Sequence, residues 1–182
     1  MIAYGMYLDR NDTEDGHFLL AEGDHILCQG NLNKRIESAA VDDDGNFCLE
    51  QGAEGEKAQT CLRIFRRDGT QYGSVYTSGY LTFFRLEDHG QSVLLSHDEK
   101  LVLLSVSQNR AIFSFAIPQR FYPTDGYVDS TTGEVLLEDG ERGYFRFTQS
   151  GDFPDRSTWL QNAMVGSDLR KTGVNRLKEC RV

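Results

Sequence analysis

The sequence predicts an all-β protein: a propeller-like array of antiparallel hairpins and small sheets, finished by a short C-terminal helical segment. A two-sheet β-sandwich is the alternative. Three observations predict it. A turn ending in a small polar residue, then a short apolar run closing on an acid or polar residue, occurs four times, at Asp15–Glu22, Asp44–Glu50, His89–Ser96 and Thr132–Glu138. A second β-rich run follows each. The repeat glycines fall at 16, 45, 90 and 133, so the last two intervals are 45 and 43 residues, a spacing suited to one small sheet per repeat.

The elements follow in order. β-branched and aromatic residues concentrate at Ile26–Cys28, Ala39–Val41, Phe47–Leu49, Cys61–Phe65, Ser74–Tyr76 and Leu81–Leu86. They do so again at Val93–Leu95, Leu101–Val106, Ala111–Ala116, Gly126–Val128, Val135–Leu137 and Tyr144–Phe147, and each run is read as a strand. Leu62 to Arg66 and Tyr144 to Thr148 alternate, which predicts one apolar and one wet face. Val93–Leu95 and Val102–Leu104 are apolar throughout and read as central strands covered on both sides. Gly45, Gly69 and Gly151 mark hairpin turns, where glycine supplies a positive φ. Gln51 to Thr60, rich in Gly, Glu and Ala, reads as an exposed loop. The three prolines, Pro118, Pro123 and Pro154, fall outside the predicted strand interiors.

Helix is predicted late in the chain. Asp155 is the candidate N-cap for a segment with Trp159, Leu160, Ala163 and Met164 on one face, stopped by Gly166. A weaker helix is predicted from Asp168 to Cys180. One domain is expected over residues 1–182, with β repeats through 153 and helical closure from 154.

Composition narrows the function. Apolar content is 39% and aromatic content 11%, ordinary for a globular chain. No apolar run approaches the length of about 20 residues that a spanning helix needs. The start lacks a basic segment and a long apolar run, so a cytoplasmic protein is expected. Cys28, Cys48, Cys61 and Cys180 have no zinc-type spacing and read as mainly reduced thiols. The net charge is −9, and residues 1–60 carry all of it, with 13 acids against 4 bases. Such a field repels nucleic acid and anionic membranes and attracts a basic partner, although a charged surface also serves solubility alone. From Arg156 onward, 6 bases face 2 acids.

The sequence carries no recognised catalytic pattern. Asn11 to Glu22 places oxygen ligands at EF-hand spacing, but it opens on Asn and neither flank reads as helix. His17, His25, His89 and His97 lie in or beside turns, without an HExxH pattern, and are read as solvent-facing. There is no nucleophile elbow and no phosphate loop. Arg63, Arg66, Arg67 and Arg85 cluster near Phe65 and Phe83, and read as the wet face of a hairpin rather than a nucleic-acid stripe. The residues thus predict no metal and no cofactor.

Two resemblances add to this. Residues 14–153 resemble the blades of β-propellers of the WD-repeat and related families, without their Trp-Asp dipeptide and with Gly-His once, at Gly16-His17. The junction Ser150-Gly151-Asp152-Phe153-Pro154-Asp155-Arg156-Ser157-Thr158-Trp159-Leu160 resembles the closing segment of small bacterial propeller-like proteins found beside toxin genes. There Trp159 and Leu160 would pack over the open end of the last sheet. The resemblance implies an immunity protein that neutralises a contact-dependent or secreted toxin. The expected partner is a basic toxin domain, such as a nuclease, occluded by Asp42, Asp43, Asp44, Glu50, Glu54 and Glu56, with Tyr72, Tyr76 and Tyr80 as anchors. The alternatives are an interaction adaptor with another partner, or an enzyme whose site is built from loops.

Overall fold

The computed structural model describes residues 4–9, 15–52, 59–79 and 81–162. Glu54, Glu56, Tyr80 and the predicted helix from Asp168 to Cys180 lie outside the described residues. The chain divides between Phe121 and Tyr122 into two compact units.

The first unit holds three antiparallel sheets, each with its strands in sequential order. The first sheet contains β1 (Tyr4–Asp9), β2 (Gly16–Glu22) and β3 (His25–Leu32). The second contains β4 (Ile36–Val41), β5 (Phe47–Gln51), β6 (Gln59–Phe65) and β7 (Gln71–Ser78). The third contains β8 (Leu81–Glu87), β9 (Ser92–His97), β10 (Lys100–Ser105) and β11 (Arg110–Ala116). β1 lies against β4, and β4 against β8, so the leading strands of the three sheets are neighbours. The second unit has a fourth sheet, β12 (Pro123–Val128), β13 (Val135–Asp139) and β14 (Tyr144–Phe147). The chain is therefore an all-β array of small meanders, and the described residues form four sheets rather than the two of a sandwich.

Every predicted strand falls on an observed one. The observed β10 stops at Ser105 and leaves Val106 in the following turn. β1 is an addition, while β2 is the apolar run of the first repeat. Gly16 differs from its counterparts. Gly45, Gly90 and Gly133 hold positive φ in turns, whereas Gly16 opens β2 at a close approach, where a Cβ would meet the Lys34 carbonyl oxygen at 2.5 Å.

The second sheet is covered on both faces, because side chains alternate across a strand. Phe47, Leu49 and Phe65 pack with Phe18, Leu20 and Ile36 towards the first sheet. Cys48, Leu62, Ile64 and Val75 pack with Leu86, Val93, Leu95, Val102 and Val106 of the third. This corrects the expected wet face on Leu62 to Arg66: Phe65 is buried, and Arg63 is half-buried and bonded to Gln51. β9 is buried from Ser92 to Ser96 and sits between β8 and β10, as its continuous apolar run predicts.

In the second unit, Val135, Leu137, Phe145 and Phe147 form the buried face, while Tyr144 and Arg146 alternate outward. Phe153 stacks on Phe147 at 4.2 Å, and Trp159 lies 5.8 Å from Phe153. The chain is helical over residues 156–162, the end of the described residues. Two expectations are corrected here. Trp159 packs inward, but Leu160 is exposed, since consecutive residues on a helix point about 100° apart. Asp155 stands at the N-cap position, its carbonyl accepting from the Trp159 N–H at 2.9 Å, but its side chain does not turn to the helix. Its carboxylate accepts from the Arg146 backbone N–H at 2.8 Å and from the guanidinium at 2.8 Å.

Candidate functional site

Four turns of the first unit enclose a cleft of about 240 Å³ between the second and third sheets. Asn46 from the β4–β5 turn, Arg66 from the β6–β7 turn, and Tyr72 from the start of β7 form one side. His89, Gly90 and Gln91 from the β8–β9 turn, with Val106 and Ser107 after β10, form the other. Asp44-Gly45 and His89-Gly90 hold the same place in two copies of the repeat. The cleft therefore arises where equivalent turns of neighbouring repeats meet.

The β4–β5 turn is held by Asp42. Its Oδ1 accepts from the Asp44 N–H at 3.0 Å and the Asn46 N–H at 2.8 Å, and its Oδ2 accepts from the Asn46 amide at 2.9 Å. Local carboxylate bonds of this kind are why Asp favours turns. The same Asn46 amide reaches the His89 carbonyl at 3.2 Å. The His89 ring bonds the Asp44 carboxylate through Nδ1. The Tyr72 hydroxyl donates to the Gly90 carbonyl at 2.6 Å, and the Arg66 guanidinium lies 5.1 Å from the Tyr72 ring centre. These bonds tie the two turns together.

The β8–β9 turn has an unusual backbone. Asp88, His89 and Gly90 take φ values of 50°, 53° and 78°, all left-handed. At Gly90 an added Cβ would meet the Tyr72 hydroxyl at 2.3 Å. Gly90→Ala is therefore expected to cost about 1–3 kcal/mol through backbone strain and the displaced tyrosine. Tyr72→Phe, which removes only the hydroxyl, is expected to cost about 1 kcal/mol. Denaturant midpoints of the two variants check this, and a smaller loss for Gly90→Ala than for Tyr72→Phe would contradict it.

Electrostatics follow the burial. Burial, then the Asp42 charge, pushes the Tyr72 phenol up to about 12, against the opposing Arg66 charge. The bond and charge of Asp44 raise His89 above its ordinary value, with smaller help from Asp88 and Asp42. Burial raises the Glu50 carboxyl, while its bond from Ser38 works the other way. Burial pushes the Cys48 thiol well up, and Cys28, Cys48 and Cys61 are free cysteines.

The residues predicted from sequence divide accordingly. Asp42, Asp43, Asp44 and Tyr72 gather at or beside the cleft, with Asp43 and Asp44 exposed and Asp42 turned to its own loop. Glu50 stands apart on β5, half-buried and bonded by Ser38, so it is not the open carboxylate expected. Tyr72 is half-buried rather than an exposed anchor, because its hydroxyl is committed to Gly90. Tyr76 is exposed at 61%. His17, His25 and His89 are exposed as expected, but His97 is half-buried and its Nδ1 has no hydrogen-bond partner. Three of the clustered arginines are engaged locally: Arg63 with Gln51 and Gln71, Arg67 with Glu22, and Arg85 with Glu87.

Sequence reasoning missed Asn46, Arg66, His89, Gln91 and Ser107. The signal was available in the repeat itself, since stacked repeats bring equivalent turns together. Among the described residues no hydroxyl or thiol bonds the His89 ring, and Ser107 bonds Ser105 instead, at 3.4 Å. Among the described residues, no group of three or more His, Cys, Asp or Glu is placed to hold a metal ion. The EF-hand-like segment enters strand β2, which places Glu22 beside Arg67. No described helix is long and apolar enough to cross a membrane.

No protein-family model matches the chain, and neither does any curated protein sequence. A solved structure of a protein of unknown function from Bacteroides caccae is similar, with a TM-score of 0.48 and 10% identity. The match covers 76% of this chain and 55% of that one, so this chain spans about half the length of that protein. At that level the likeness carries nothing on function.

Proposed function

We propose that the chain is a non-catalytic binding protein, an immunity protein that acts in the cytoplasm on a basic toxin domain. It lies over the substrate cleft of its target, for which a nuclease is the natural candidate, and uses no cofactor. One observation supports this above the rest. Asp43, Asp44 and Asp88 are exposed carboxylates on two adjoining turns whose backbones are fixed by Asp42, Asn46 and Tyr72. Fixed turns lose little freedom on association, so their charges meet a basic surface at low entropic cost. Charges at the rim of an interface mainly speed encounter. Tyr76, large and exposed on β7, supplies the kind of aromatic side chain that anchors interfaces.

The test is co-expression with the product of the adjoining open reading frame. A stoichiometric complex with a basic protein, lethal when expressed alone, is the expected result. Asp43→Asn combined with Asp44→Asn should slow association by about tenfold at low salt and much less at high salt. A folded protein that captures no basic partner and gives no protection would overturn the proposal.

A further inference from the structure

We propose that His89 is a pH-gated hold on Asp44: the protonated ring offsets the charge of one carboxylate on the exposed rim, and the neutral ring leaves that charge uncompensated. The geometry supplies both halves of the device. The ring and carboxylate belong to different sheets' turns and are both exposed, with side chains 78% and 53% accessible, so water and a partner can reach either. The backbones beneath them are held by groups that do not titrate near neutrality, the Asn46 amide on the His89 carbonyl and the Tyr72 hydroxyl on the Gly90 carbonyl. Titration therefore switches a side chain and leaves the strands in place.

The charges around the ring fix the sign. Asp44 and Asp42 approach from the β4–β5 turn and Asp88 from its own turn, and all three favour the imidazolium, while partial desolvation opposes it. Arg66, from the β6–β7 turn, lines the same cleft, as does Tyr72 from β7, which stays protonated in this range. After β10 come Val106 and Ser107, neither of which titrates near neutrality. A folded value raised above the ordinary 6.5 means that the pair is complete below that pH and is lost as pH rises through the raised value. Rising pH thus restores the full charge of Asp44 at the rim, and the consequence for a basic partner rests on the function proposed above.

The experiment is an NMR titration of the imidazoles in the full chain, with His89→Gln to assign the resonance. The His89 midpoint is expected above 6.5 and should fall back in Asp44→Asn, and by less in Asp88→Asn. A midpoint that Asp44→Asn leaves unchanged, or moves no more than Asp88→Asn does, overturns the hold. In a second arm, a lysine-rich peptide should bind the native chain about two- to fivefold more tightly above the midpoint than below it. His89→Gln should abolish that difference. If the titration behaves as expected and the peptide affinity ignores pH, the hold on Asp44 stands and the basic-partner reading falls.

Discussion

Replacing Asp139 by alanine is expected to destabilise the second unit by about 3–5 kcal/mol, the usual loss when one partner of a buried charged pair is removed. Asp139 is 4% exposed at the end of β13. Its Oδ1 accepts from the Tyr122 backbone N–H at 3.0 Å, and its Oδ2 from Arg142 at 2.8 Å and from the Trp159 indole at 2.5 Å. One carboxylate thereby joins the start of β12, the 3-10 turn at Gly140–Arg142 and the C-terminal helix. Alanine leaves three donors to find new acceptors, and the indole N–H does so beneath a packed aromatic cluster. Asp139→Asn keeps the shape and one acceptor oxygen, so it should lose less. Trp159, the single tryptophan, sits on the bond in question and reports the unfolding by fluorescence. An alanine variant within 1 kcal/mol of the native protein would show that the carboxylate does not hold the helix.

Phe47→Ala is expected to cost the first unit about 3–5 kcal/mol, the range for deleting a buried aromatic ring. Phe47 is fully buried and stacks on its cross-strand partner Phe65, with ring centres 4.9 Å apart at 7°. Phe18 of the first sheet closes the trio, 5.4 Å and 5.6 Å from the two rings. Removing this ring opens a cavity bounded by strands of two sheets, which cannot close without shifting one of them. Phe47→Leu should lose about 1.5 kcal/mol or less by filling most of that space. Far-UV circular dichroism against denaturant is the appropriate readout, since the first unit contains no tryptophan. Equal losses for the two variants would mean that the core closes around the smaller side chain.

The strands were legible because hairpins are local. Turn glycines at 45, 69 and 151 and the apolar runs between them carry their own register, and each lies where its pattern places it. What one strand cannot show is how many faces are covered. Phe47-Cys48-Leu49 looks like any apolar run, yet its residues are buried in two directions by sheets far along the chain. The acidic turn was legible as composition and opaque as geometry. Asp42, Asp43 and Asp44 look alike in sequence, but the first is committed to its own loop, the second stands open and the third meets His89. The last of those fates depends on a turn 45 residues away, and only folding brings it near. The Asp155 carboxylate was misread for a related reason, because Arg146 on β14 binds it.

Adjacent residues of β5 answer to different neighbours: Cys48 to the third sheet, Leu49 to the first. A stack of repeats that touch only at their borders can fray from an end, one repeat at a time. Here the central sheet is a party wall, and neither room stands once it goes. The two clusters are therefore expected to melt together and to take the cleft with them.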